Sequence, residues 1–355
     1  GKLPLWNLKD LYKSSKDPKI SLDLLSIEKK SKNFEKKYEK NVAKLSSPNL
    51  YKAINELEQI DETIDRILSY AQLLHTEDLN NEKNKIFLQQ MQEKITSYYS
   101  SLIFFNLEIN SLSQIKFNNH LKNNKIKKYK YWMSNIRKFR KHMLNKDLEK
   151  LLQDKNLTSR NAWIKLFDET IASLKFDFKN KKLSSAEVLN LLSDSNSSNR
   201  KLAAASLGKV LKQNVRIFAT ITNTLAKDKF INDNWRKYPN PVRSRNLSNA
   251  IEDEVVEALS QSITSSYSKL SHRYYSIKAK WFKVNALNYW DRNAPLPFQS
   301  KKIYSWDNAK KIVTNAYSDF NPIFGDIVKK FFDKSWIHAP VIKGKSPGAF
   351  SASTV

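Results

Sequence analysis

Residues 253–281 read DEVVEALSQSITSSYSKLSHRYYSIKAKW. Within them Val255, Leu259, Ile263, Tyr267, Leu270, Tyr274, Ile277 and Trp281 recur at three- and four-residue steps. Such spacing places side chains on one face of an α-helix. It predicts a helix of about 30 residues, ~45 Å long at 1.5 Å per residue. The same period recurs upstream. Ser47-Pro48 opens a helix with a capping hydroxyl and a first-turn proline, followed by Leu57, Ile60, Ile64, Ile67, Leu68, Ala71 and Leu74. A second helix is expected over 82–112, and a polar, Asn/Lys-rich connection over 113–130. Ser184 and Glu187 form a capping box ahead of Val188, Leu191 and Leu192. Asp194 to Asn199 reads as a loop, after which Leu202-Ala203-Ala204-Ala205 restarts a helix. Strand candidates are short: Tyr289 to Asp291 and the tail around Ala349-Phe350. The fold class is therefore mainly α, with at most a few short strands.

With 40% hydrophobic residues, 12% aromatics, five glycines and ten prolines in 355 residues, the chain is suited to large buried cores, not to disorder. The longest apolar clusters, such as Ile103-Phe104-Phe105, are too short to span a bilayer. The opening Gly1-Lys2-Leu3-Pro4-Leu5-Trp6 has no hydrophobic signal core. Zero cysteines exclude disulfides, thiolate metal sites and a cysteine nucleophile. The expected compartment is the cytoplasm, with no membrane partner.

The net charge of +27 invites a nucleic-acid reading. Lysine, however, outnumbers arginine 51 to 11, and asparagine occurs 35 times, which resembles codon drift in an AT-rich genome. Phosphate and base recognition favours the bidentate guanidinium. In the densest basic runs, 122–130 and 137–141, Tyr129, Tyr131, Trp132 and Phe139 interleave with the cations. At helical spacing Trp132, Ile136 and Phe139 form one buried stripe opposite a solvated basic face. Nucleic acid is not the expected partner.

No complete catalytic constellation is present. A helical zinc site needs two imidazoles at i and i+4 with a glutamate between them. The five histidines, His75, His120, His142, His272 and His338, include no two within one helical turn. There is no Gly-rich phosphate loop and no G-x-S-x-G elbow. Asp253 and Glu254 are adjacent and diverge on a helix, so they read as a solvated face.

Several segments nevertheless carry a resemblance. They are Leu5-Trp6-Asn7-Leu8-Lys9-Asp10-Leu11-Tyr12, Asn199-Arg200-Lys201-Leu202-Ala203-Ala204-Ala205, and Arg243-Ser244-Arg245-Asn246-Leu247 leading into Ile251-Glu252-Asp253-Glu254. The most specific are His272-Arg273-Tyr274-Tyr275-Ser276-Ile277-Lys278-Ala279-Lys280-Trp281, then Trp290-Asp291-Arg292-Asn293-Ala294-Pro295-Leu296-Pro297, and the tail Gly344-Lys345-Ser346-Pro347-Gly348-Ala349-Phe350. Together they resemble the oligoendopeptidase F family of thimet-type zinc metallopeptidases, weakly in the first half and strongly from residue 240 onward. The resemblance implies a mainly helical protein whose N-terminal helical domain and zinc-bearing domain enclose a channel for oligopeptides. It implies domains at 1–115, 116–197 and 198–355, the last an incomplete leading part of the catalytic domain.

In the family the H-E-x-x-H motif and a third glutamate ligand follow the G-A-F/Y stretch. No catalytic or metal-ligand role therefore transfers to any residue here. The resemblance implies zinc in the complete enzyme, none on this chain alone, and a zinc-bearing portion supplied by the same or a separate polypeptide. A truncated chain, a split gene and an inactive family member each fit the sequence.

Substrate contact is expected at Gly348, Ala349 and Phe350, as an edge strand pairing with extended peptide, and at His272 and Tyr275. Tyr274 is expected to pack in the core, Asp291 to pair with Arg292, and His338 to lie in a loop or at a strand edge.

Overall fold

The chain is described from a computed structural model covering residues 3–298, 302–342, 344–345 and 348–355. Its elements are helices joined by short connections, and the one sheet among the described residues is a two-stranded hairpin. The mainly α expectation holds.

An opening helix, Pro18–Tyr38, is set by Asp17, whose carboxylate accepts from the Lys19 amide ahead of Pro18 at the first turn. The next helix, Ser47–Glu77, buries the expected ladder of Leu57, Ile60, Ile64, Ile67 and Ala71. Its cap differs from expectation. Ser46 takes the N-cap position, and the Ser47 hydroxyl meets His120 Nδ1 at 3.0 Å.

The single helix expected over 82–112 is two, Glu82–Tyr99 and Ile103–Ser111. The break at 100–102 turns Phe104 and Phe105 inward, where both are buried against Phe34 at ring distances of 5.8 and 5.2 Å. The stretch 113–130 is likewise more ordered than a connection. Ser113 and Asn123 side chains cap short helices Gln114–Leu121 and Asn124–Lys127, which bury Phe117 and Ile126. Their polar composition reflects caps and solvent faces, since few apolar residues suffice to seat so short a helix. The helix Lys130–Lys138 buries Met133, with Trp132 and Ile136 half-buried against the same core. That core runs from Leu11 to Met133.

A second, smaller core gathers Leu174, Phe176, Val188, Ala203 and Val210. Strands Phe176–Phe178 and Lys181–Leu183 pair antiparallel across a turn in which Lys179 adopts φ 52°. The capping box at Ser184 and Glu187 forms as expected. The helix carrying the alanine run begins at Ser197, inside the segment expected to be loop, because Asn196 accepts from the Ser198 and Asn199 amides.

The long helical stretch also forms. Asp253–Ser266 and Arg273–Trp281 are joined by a π-helical turn, Ser268–His272. Trp306–Phe320 and Pro322–Asp333 then pack as a helical hairpin, where Gly325 crosses Ser318 so closely that a Cβ would collide with it. No described helix is long and apolar enough to cross a membrane.

Candidate functional site

Three of the motif segments meet at one buried carboxylate. Asp291 Oδ1 accepts from Arg200 Nη2 at 2.6 Å and Nε at 3.2 Å, and its Oδ2 accepts from the Asn288 amide and side chain, each at 3.2 Å. Arg200 completes its donors on the Asp194 and Ser195 carbonyls. Lys278, buried on the long helix, donates to the Arg292 carbonyl at 2.8 Å. Phe282 lies beneath both cations, about 6 Å from each.

Burial works to raise the Asp291 pKa, but the hydrogen bonds from Arg200 and Asn288 outweigh it and hold the carboxyl below its ordinary value. Burial, and then the Arg200 charge, lower the Lys278 pKa. The arrangement fastens the W-D-R-N segment to two helices. It corrects two expectations: Tyr289–Asp291 is a 3-10 turn capped by Asn288, not a strand, and Asp291 pairs with Arg200, not Arg292. Neighbours along a chain diverge, whereas Arg200 approaches from a separate helix with its fork aligned.

Away from Lys278 and Ala279 the long helical stretch is largely uncovered, and Asp253–Ser266 buries no residue. Val255, Leu259, Ile263, Tyr267, Leu270, Tyr274 and Trp281 are all exposed, Leu259 by 60% and Leu270 by 67%. Tyr274 therefore does not pack in a core of this chain, contrary to expectation. His272 and Tyr275 lie on the same stretch and are exposed, with Tyr275 tilted against Tyr274 at 5.7 Å.

The tail lies elsewhere, against the N-terminal helices. Leu79 N donates to Gly344 O at 2.9 Å, and Gly344, at φ 86°, leaves no room for a Cβ beside Asp78. Lys345 Nζ meets His338 Nδ1 at 2.9 Å and donates to the His338 and Pro340 carbonyls, which places His338 in a loop as expected. Burial lowers the His338 pKa, and the Lys345 charge lowers it further. Trp6 packs edge-on to both His338 and Phe350, and its indole donates to the Glu77 carboxylate. Ala349-Phe350 is not a strand, and no backbone hydrogen bond engages it among the described residues. Ser346 and Pro347 of the tail motif lie outside the described residues. No hydrogen bond or ring contact among the described residues joins Gly348, Ala349 or Phe350 to His272 or Tyr275.

The histidines sit in separate surroundings. His120 faces Ser47, His142 stacks on Tyr238 at 4.1 Å, and His338 is held by Lys345, while His75 and His272 sit on separate helical segments. Among the described residues no three histidine or carboxylate groups converge as metal ligands. The buried Asp291 carboxylate is paired with the Arg200 guanidinium.

A family model described as Oligopeptidase F matches residues 108–176. Oligopeptidase PepF of Bacillus subtilis is 25% identical over 359 residues, covering 98% of this chain and 52% of the relative. Group B oligopeptidase PepB of Streptococcus agalactiae is 24% identical over 315 residues, covering 85% of the chain and 51% of the relative. The chain thus spans about half the length of the curated relatives it matches. The oligoendopeptidase-F structure from Enterococcus faecium superposes with a TM-score of 0.70 at 19% identity, over 88% of this chain and 60% of that one. At that identity the likeness establishes the fold.

Proposed function

From a chain related to the oligoendopeptidase F family over nearly its whole length, we propose a part in oligopeptide hydrolysis: walls and substrate-positioning surface for a peptidase whose zinc chemistry is carried by residues outside 1–355. The observation that carries this reading is the uncovered apolar face of the long helix. Seven exposed apolar anchors in line along one helix form a surface that water-facing helices avoid, so the face suits covering by further polypeptide.

His272 and Tyr275, exposed beside that face, and Gly348, Ala349 and Phe350, exposed at the tail, are the proposed peptide contacts. Gly348 has open space where a Cβ would stand, so an extended peptide could approach its backbone.

A second reading, a complementing subunit that docks on a separate zinc-carrying polypeptide, draws on the same face. The two differ in whether the covering segment is covalently attached.

Incubating the purified chain with zinc and a fluorescence-quenched oligopeptide tests the proposal. Peptide binding without cleavage is expected, with a several-fold loss of affinity in Phe350→Ala or Tyr275→Ala. Cleavage by the chain alone that a chelator abolishes would overturn it.

A further inference from the structure

A cleft of about 630 Å³ opens between the helix Lys130–Lys138 with its following turn Arg140–His142 and the helix Arg243–Ser248. Its apolar lining comes from Phe117, Leu247 and Ile251. Six basic or imidazole side chains share the lining, against one carboxylate, Glu252.

The basic residues divide into two sets. Arg137 is structural: Nη1 donates to the Ile109, Asn110 and Leu112 carbonyls, Nη2 donates to Gln114, and the guanidinium lies 4.6 Å from the Phe117 ring centre. Arg243 is ion-paired with Asp253 at 2.9 Å, and His142 is held by the Arg236 carbonyl and by stacking on Tyr238. Lys138, Arg140 and Lys141 have no such partner. All three are exposed at the cleft, and no carboxylate lies within ion-pairing distance of any of them among the described residues. Three like charges gathered on four consecutive positions repel one another, and an anion in the cleft would relieve that repulsion.

We propose that this cleft binds an acidic peptide segment, an apolar side chain resting on Phe117, Leu247 and Ile251 while flanking carboxylates meet Lys138, Arg140 and Lys141. The volume suits a few side chains. A single-stranded nucleic acid fits less well, because it needs aromatic platforms. The aromatics interleaved with the cations are not available as such: Tyr129 is buried with its hydroxyl on Glu58, Trp132 is half-buried against the core, and neither Tyr131 nor Phe139 lines the cleft. A small phosphate would leave the apolar lining unused. That the anion is a peptide rests on the peptidase reading; the site itself rests on the geometry.

Fluorescence anisotropy with labelled Glu-Glu-Leu-Glu-Glu tests the inference. Replacing its glutamates by glutamine, or making Lys138→Gln, Arg140→Gln and Lys141→Gln together, is expected to weaken binding about tenfold, three partly exposed ion pairs being lost. A glycine in place of the leucine weakens it further. A control triple on exposed positions of the first helix, Lys29→Gln, Lys30→Gln and Lys36→Gln, leaves binding unchanged.

The cleft is refuted if the control triple weakens binding equally, if an oligothymidylate of equal charge binds as tightly, or if pyrophosphate displaces the peptide at matched ionic strength. Loss of the acidic preference with other oligopeptides still bound refutes the cleft alone. Absence of all oligopeptide binding refutes the peptidase reading with it.

Discussion

Arg200 and Asp291 stand 91 positions apart, yet their contact fixes where three motif segments meet. Removing one partner strands the other's charge in the interior, so Arg200→Ala is expected to destabilise the chain by roughly 3–5 kcal/mol. Asp291→Asn in the Arg200→Ala background should recover part of that loss, and urea unfolding of the parent and the two variants reads both effects. Sequence neighbourhood pointed to Arg292 as the partner of Asp291. A buried pair is chosen by the geometry of converging elements, and only the motif containing Asn199-Arg200-Lys201 signalled that Arg200 mattered. Lys278 stood inside the motif His272 to Trp281, as Arg200 stood inside its own, but nothing set it apart from Lys280 two positions on.

Asp61 offers a second test. Burial, then the charges of Asp65 and Glu58, push its carboxyl up to about 6. A pKa raised on folding means the chain is favoured while Asp61 is protonated and loses stability as pH rises from about 4, near the unfolded value, through 6. Asp61→Asn should therefore stabilise by roughly 1–3 kcal/mol at pH 8, and by nothing below pH 4. Thermal melts across that range check the sign.

At the scale of elements, long periodic helices were legible and short or interrupted ones were not. Residues 253–281 declare themselves through eight anchors, while the π-helical turn inside them leaves no mark in the pattern. The three-residue strands at 176–183 are too brief for a period of two to show, and the 82–112 pattern runs on through a turn because Phe104 and Phe105 prolong its apolar character.

Periodicity also says which side of a helix is apolar without saying what covers it. Exposed anchors should tolerate change. Leu259→Ser and Leu270→Ser are expected to alter stability by no more than about 0.5 kcal/mol. Phe104→Ala, emptying a buried site, should cost roughly 3–5 kcal/mol. Denaturant melts of the three variants would expose a covered face at once, since Leu259→Ser would then behave like Phe104→Ala.

Across the whole molecule, the chain returns to its own beginning. Asn7 N donates to Ser335 O at 2.7 Å, Ala339 N to Pro4 O at 3.0 Å, and Trp336 Nε1 to Asp10 at 3.1 Å. This closure brings Phe350 beside Trp6, and no hydrogen bond or ring contact among the described residues joins it to His272 or Tyr275. The sequence named both groups as peptide contacts but held no information on their separation, which depends on long-range packing. The basic run 137–141 was likewise legible, but not that Arg137 is engaged by carbonyls while Lys138, Arg140 and Lys141 are left without an ion pair among the described residues.

If these residues shape a peptidase without holding its metal, as proposed, the purified chain keeps no zinc of its own. Dialysis against micromolar zinc, followed by elemental analysis, decides the matter. Far less than one ion per chain should remain bound. One zinc retained per chain, and lost when His75 or His338 is replaced by alanine, would overturn the proposal.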